Sequence, residues 1–255
     1  MKIEKLALIG SGNIASWLAY QLGLKGYQWV QVYSRNLDHA RNIASSWGAE
    51  AITDLSQLDP TCDLYLFALK DDCYPTILAQ VPFQMPLAIH TAGAISQNIF
   101  QPYAQHYGVI YPYQSINKNQ LNNLEVPICI EGDTTQTTNI LQEIAYKLSS
   151  NVTIVNEHQR LIMHVAAVFA NNFSNALFHI GYQLLTENGL NEKLLLPIIE
   201  NSCTKLKEQP PYKCQTGPAK RHDQQTIQQH LNLIKNPELL EIYQNLTQYI
   251  IKNLS

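Results

Sequence analysis

The sequence predicts an α/β fold with a mostly parallel, doubly wound sheet, followed by an all-α domain. Three observations carry this. As far as Asn156, short apolar β-type runs alternate with helical patterns, the grammar of a parallel sheet covered on both faces. Beyond Asn156 no β-run recurs and only helical periodicity remains. Between the first apolar run and the first helical pattern stand Gly10 and Gly12, the punctuation of a tight strand-to-helix turn. The expected domains are therefore residues 1–156 and 157–255.

Each element has its own signal. KLALIG reads as the first strand, and Ile14 to Lys25 as a helix with Ile14, Leu18 and Leu22 on one face. WVQVYS is the next strand. Leu37 to Trp47 follows as a helix with Leu37, Ala40, Ile43, Ala44 and Trp47 as its buried stripe. AEAIT, DLYLFAL, PLAIHTAG, YGVIYP, VPICIEG and NVTIV supply further strands, with a clear helix from Gln136 to Leu148. In the second half a long helix runs from Glu157 to about Glu187, stopped by Asn188-Gly189. Asn191 caps a second, reaching about Lys207 and closed by Pro210-Pro211. Asp223 to Ile234 makes a third. Asn236-Pro237-Glu238 supplies a cap, an N1 proline and a first-turn acid for the last.

Composition narrows the function classes. At 255 residues, 45% apolar and 15% charged, the chain can bury a real core. A net charge of -3 without any Lys/Arg run gives no footprint for nucleic acid or an anionic membrane. MKIEKLALIG ends in a glycine turn, not a signal-peptide cleavage site. The apolar stretch Leu161 to Phe169 is broken by His164 and followed by Asn171 and Asn172, so no membrane span is expected there and a cytoplasmic protein is. Five scattered cysteines without C-x-x-C predict free thiols, with neither a disulfide framework nor a metal site.

Gly10-Ser11-Gly12-Asn13-Ile14-Ala15 matches G-x-G-x-x-A directly after a strand and at the opening of a helix. Gly10 permits the turn, Gly12 lets backbone approach a pyrophosphate, and Ala15 allows close helix–strand packing. The helix N-terminus adds free N–H groups and partial positive charge. This makes the first domain a Rossmann domain, although the motif also occurs in methyltransferases. Cofactor choice is read at the end of the second strand. Where NAD enzymes usually place an acid, this chain has Tyr33-Ser34-Arg35. A hydroxyl and a guanidinium suit a 2′-phosphate, which predicts NADP; otherwise Arg35 is a surface residue beside a helix start. Ala68, Leu69 and Asp71 end the fourth strand, and His90 and Thr91 the fifth, at the edge where α/β sheets bind ligands. Asp71 and Asp72 serve equally well as caps for the helix holding Ile77 and Leu78.

The long helix is expected to be buried, with a polar strip. At 3.6 residues per turn Arg160, His164, Asn171, Asn175 and His179 share an arc of roughly 100°, with Asn172 at its edge. Either the strip faces the nicotinamide end of the crevice, where His164 and Asn171 or Asn172 meet a substrate, or it faces water or satisfies polar groups at an interface.

The Rossmann half resembles the deazaflavin-dependent NADP oxidoreductase type of domain, shared with pyrroline-5-carboxylate reductases and prephenate dehydrogenases. HTAGAIS, GVIYPYQSINK, HVAAVFANNFSNAL and QTGPAKRHD resemble the signatures of a bacterial family of predicted NADP oxidoreductases. That family joins this domain to a helical domain of unknown function (DUF 2520). The resemblance implies cofactor contacts from Gly10, Ser11, Gly12, Asn13, Ile14, Ser34, Arg35, Ala68, Leu69, Asp71, His90 and Thr91. It implies a loop of Tyr111, Gln114 and Ser115 beside the substrate, Tyr111 standing where prephenate-type enzymes carry a His. His164, Asn171 and Asn172 form the helix strip. Arg221 is a candidate anion clamp, or the partner of Asp223 in a structural pair. His222 stands where the family usually has a small residue. The resemblance further implies a homodimer built by the helical half, with the active site between domains.

The expected activity is hydride transfer between NADP(H) and a small carbonyl or imine compound, with His164 as proton donor, Asn171 or Asn172 polarising the substrate, and Tyr111 and Gln114 lining the pocket. A rival expectation is a dinucleotide-binding sensor or scaffold without turnover. It rests on the lack of a lysine in the long helix, since Lys147 and Lys205 fall outside it.

Overall fold

The computed structural model describes residues 2–117 and 125–254. Lys118, which ends the GVIYPYQSINK motif, lies outside them. The chain divides into two compact units, Met1–Asn171 and Asn172–Ser255.

The first unit holds an eight-stranded sheet in the order β3-β2-β1-β4-β5-β6-β7-β8. Its strands are β1 Lys5–Ile9, β2 Gln28–Tyr33, β3 Glu50–Ile52, β4 Leu64–Phe67, β5 Met85–His90, β6 Ala104–Pro112, β7 Ile128–Gly132 and β8 Val152–Ile154. Pairing is parallel except between β6 and β7, where Ile110 stands opposite Ile130. Alternation explains why the strands are apolar throughout. Along β1, Leu6 and Leu8 enter the core on one face, while Ala7 and Ile9 enter the core on the other. Helices α1 (Asn13–Leu24), α2 (Leu37–Ala44) and α4 (Thr135–Leu148) add Leu18, Ile43 and Leu141 to the first core. Helix α3 (Tyr74–Leu78) adds Tyr74, Ile77 and Leu78 to the second. Every predicted strand is present. Helix α2 ends about a turn earlier than expected, in a turn closed by Gly48 at φ 64°.

Asn156 begins α5 (Glu157–Ala167) with a capping box, its side chain accepting from the Gln159 N–H and the Gln159 side chain from the Asn156 N–H. A wide π-helical turn, Val168–Phe173, leads on to α6 (Ser174–Glu187). The expected burial of this helix is not what the structure shows. Leu161, Ile162, Val165 and Leu177 are all exposed, and Arg160 is instead the buried residue. At 31 residues it is also long and apolar enough to cross a membrane by length and composition, contrary to expectation; one such helix is weak evidence of a span.

The second unit continues with α7 (Leu196–Lys205), α8 (Pro211–Cys214), α9 (Gln224–Leu233) and α10 (Pro237–Asn253). Two caps fall where the sequence puts them, Asn191 on the turn before α7 and Asn236 on α10, and Asp223, expected as the first residue of the third helix, caps α9 instead. Gly189, at φ 70°, ends α6. His222 sits at φ 55°; the left-handed conformation explains why a small residue suits that position, and His is among the side chains that tolerate it. Among the unit's described residues only Ala219 and Ile227 are buried.

Candidate active site

A cleft opens at the carboxyl ends of β1, β2, β4 and β5, around the point where strand order reverses between β1 and β4. Its floor is the glycine turn. Gly10 has φ 129°, and a Cβ there would stand 2.2 Å from the Ala68 carbonyl oxygen, so neither conformation nor space admits a side chain. Gly12 differs: its backbone is extended and a Cβ would meet nothing within 4 Å. That open space lies at the start of α1, which has no side-chain cap and no acid in its first turn. Unpaired N–H groups facing a bare glycine fit a pyrophosphate.

At one end the cleft is lined by Ser34, Arg35, Asn36 and His39. Ser11 Oγ and Ser34 Oγ lie 2.9 Å apart, and the Asn36 N–H donates to Ser34 Oγ. Asn36 then caps α2, accepting from Asp38 and His39. Two hydroxyls, a guanidinium and an imidazole around one corner suit a phosphate monoester. His39 escaped the sequence reading; its place in the first turn of the helix after Arg35 was the available signal.

Asn13, Ile14, Ala68 and Leu69 also line the cleft. Asp71 is exposed and off its wall, whereas Lys70 and Asp72 are on it. Nor do Asp71 and Asp72 cap the following helix through their side chains. At the other end stand Thr91, Gln114, Ser115 and Ile116. His90, expected beside them, points instead into the core between Tyr74 and Phe100 and is fully buried. Strand alternation is the reason, because His90 shares a face with Ala88. Its Nδ1 accepts from the Ala92 N–H. Burial, reinforced by the Arg160 charge, holds its pKa down at about 3, so the ring is neutral.

Two residues past Thr91, Gly93 meets α5. A Cβ at Gly93 would lie 2.7 Å from His164 Nδ1, so glycine is what lets the imidazole approach the turn. His164 Nδ1 is 3.1 Å from the Tyr111 hydroxyl. Tyr113 donates to the Met163 carbonyl at 2.9 Å, tying β6 and its following loop to the same helix. Burial pushes the Tyr111 hydroxyl up to about 12. Tyr111 and His164 are thus brought together, adjoining the cleft without lining it. Asn171 and Asn172 are exposed on the π-helical turn. Arg221, in the second unit, is exposed as well. Asp223 accepts from the Thr226 N–H and hydroxyl, at 3.0 and 2.8 Å, and the Arg221 charge adds only a lesser lowering of its pKa, with no close ion pair between the two.

Residues 5–91 match the family described as NADP oxidoreductase coenzyme F420-dependent, and residues 126–250 match a domain of unknown function, DUF2520. Among solved structures, a Bacteroides fragilis protein provisionally named an NADP oxidoreductase is 35% identical, covering 98% of this chain and 99% of its own, with a TM-score of 0.92. A 1-pyrroline-5-carboxylate reductase from Streptococcus pyogenes is 14% identical over 97% of this chain and 98% of its own, TM-score 0.64. A reductive aminase from Aspergillus terreus, solved with NADPH and ethyl levulinate, is 14% identical over 98% and 94%, TM-score 0.74. These last two share the fold. No curated protein matches the chain.

Proposed function

The chain belongs to the family of NADP oxidoreductases that join a coenzyme F420-dependent type of NADP domain to DUF2520, and on that premise we propose that it reduces a small carbonyl or imine compound, or runs the reverse oxidation. The observation that carries the reading is the Tyr111–His164 hydrogen bond, set against Gly93 at the Thr91 end of the cleft. The names of the two distant fold relatives, a pyrroline-5-carboxylate reductase and a reductive aminase, point to carbon–nitrogen chemistry in those proteins.

Division of labour follows from position. Gly12 and the start of α1 receive the pyrophosphate, while Ser34 and Arg35, helped by Ser11, receive the 2′-phosphate. NADPH, when bound, supplies the hydride. The chain's own part is a proton and its placement. In the protonated ring His164 Nδ1–H donates to the Tyr111 oxygen and Nε2–H passes to the substrate, which leaves a neutral imidazole still held through Nδ1. Held protonated by burial, Tyr111 orients the ring and keeps its own proton. Gln114 and Ser115 face the substrate, and the Asn171 or Asn172 amide polarises it.

We assign the exposed apolar residues Leu161, Ile162, Val165, Leu177 and Leu184 to a homodimer interface. A helical unit that buries so little of itself needs such a partner for stability. On this reading the protein is cytoplasmic and the long helix does not enter a membrane.

Thermal-shift titrations with NADPH, NADH and S-adenosylmethionine test the cofactor, followed by a screen of carbonyls and imines. NADPH at a hundredfold excess over its dissociation constant stabilises a native-only binder by about 2.7 kcal/mol. A shift with S-adenosylmethionine alone would overturn the assignment. In His164→Ala, lost turnover with intact NADPH affinity supports the enzyme, whereas lost dimerisation or folding alone contradicts the role given to His164.

A further inference from the structure

The Arg160 side chain is completely buried, and its hydrogen bonds converge on one turn. Nη1 donates to the carbonyl oxygens of Gly93 and Ile95, at 2.9 and 2.8 Å, and more weakly to that of Ala92 at 3.4 Å. Nη2 donates at 3.0 Å to Glu131 Oε2, which accepts on a carboxylate that is itself only 13% exposed on β7. Three carbonyl oxygens directed at one point repel each other unless a cation stands among them. A planar guanidinium satisfies several at once, which a lysine cannot do.

Stability alone does not account for this arrangement. Burying two charges costs several kcal/mol, and well-packed apolar substitutes for such pairs are often neutral or stabilising. Nε of Arg160 even lacks a hydrogen-bond partner, a further cost. What the guanidinium provides is placement. The turn it grips follows Thr91, which lines the cleft, and includes Gly93, which touches His164. His164 lies one helical turn beyond Arg160 on α5. A single side chain therefore sets the spacing between β5, β7 and α5.

We propose that Arg160 is a positioning residue, whose guanidinium fixes the 92–95 turn and thereby holds Thr91 and His164 in place at the nicotinamide end of the cleft. This rests on the cofactor reading above, which puts the 2′-phosphate at the Arg35 end. The buried charge acts on the neighbours as well, opposing the rise that burial imposes on Tyr111 and deepening the lowering of His90.

The test compares two ligands that share only the adenine end. Dissociation constants for NADPH and adenosine 2′,5′-bisphosphate are measured on wild type, R160K and the charge-balanced double variant R160M/E131Q, along with the emission spectrum of bound NADPH. The double variant is expected to bind NADPH about tenfold more weakly, with emission moving toward that of free cofactor and bisphosphate affinity unchanged. R160K, which keeps the charge but loses the fork, should fall between. A parallel loss for both ligands, or unchanged NADPH binding and emission with only a lower melting temperature, would reduce Arg160 to a structural residue and overturn the proposal. If the double variant does not fold, R160K carries the same comparison. Failure of wild type to bind either ligand strikes the cofactor reading instead.

Discussion

Tyr111 and His164 stand 53 residues apart in sequence, and the oxygen of one lies 3.1 Å from Nδ1 of the other. The contact depends on Gly93, whose missing side chain leaves room for the ring. Gly93→Ala should therefore push the imidazole off the turn at a cost of about 1–3 kcal/mol. Turnover should fall while NADPH affinity stays within about twofold, a small fraction of a tenfold step. A histidine NMR spectrum unchanged by the substitution would show that the ring had not moved and would overturn the dependence on Gly93.

The two glycines of the first turn should respond differently to alanine. Gly10→Ala meets the Ala68 backbone at 2.2 Å and a positive φ, so the melting temperature should drop before any ligand is added. Gly12→Ala meets no atom of the protein and should fold normally. It should lose NADPH affinity by tenfold or more, about 1.4 kcal/mol, because the methyl takes space the pyrophosphate needs. Equal melting temperatures for both variants would contradict this division.

Arg35→Ala removes one charge-assisted contact to the 2′-phosphate, worth about 1.5–3 kcal/mol. NADPH should bind roughly 10- to 100-fold more weakly, and NADH should be unaffected. Calorimetry with both cofactors checks it; equal losses would mean that Arg35 acts elsewhere.

His90 makes stability pH-dependent. Its folded pKa of about 3 lies below the ordinary 6.5, so the unfolded chain binds a proton that the folded chain refuses. The contribution is complete above pH 6.5 and is lost as the pH falls toward 3, at no more than about 1.4 kcal/mol per pH unit. His90→Asn, whose oxygen can still accept from the Ala92 N–H, should flatten that slope in urea titrations across this range. An unchanged slope would place the sensitivity in other groups.

The sheet was legible because strands buried on both faces read as continuous apolar runs, and two caps because Asn191 and Asn236 each precede a helical pattern. The glycine turn and Arg35 were legible for the same local reason. Orientation was harder. His90 looked like a ligand-edge residue from its position alone, yet strand alternation turns it inward. The polar strip assumed 3.6 residues per turn throughout. The π-helical turn at Val168–Phe173 adds a residue, rotating everything beyond it by about 100°. Asn175 and His179 therefore leave the face that Arg160 and His164 share. The sequence placed Arg160 in the strip but not what it grips, because its partners are three backbone carbonyls and a carboxylate on β7, none of them its neighbours along the chain.

The cleft has one more property, set by chain order. Among the described residues, those that line it all fall between Gly10 and Ile116. During translation this stretch leaves the ribosome before the residues that follow it, and at about 5–20 residues per second the next hundred residues take roughly 5–20 s. The pocket's walls are thus made before α4, α5 and every helix of the second unit. A nascent chain stalled just past β8 already carries each of those described wall residues and all eight strands, but not the α5 side chains, Arg160 and His164, that meet the turn after β5.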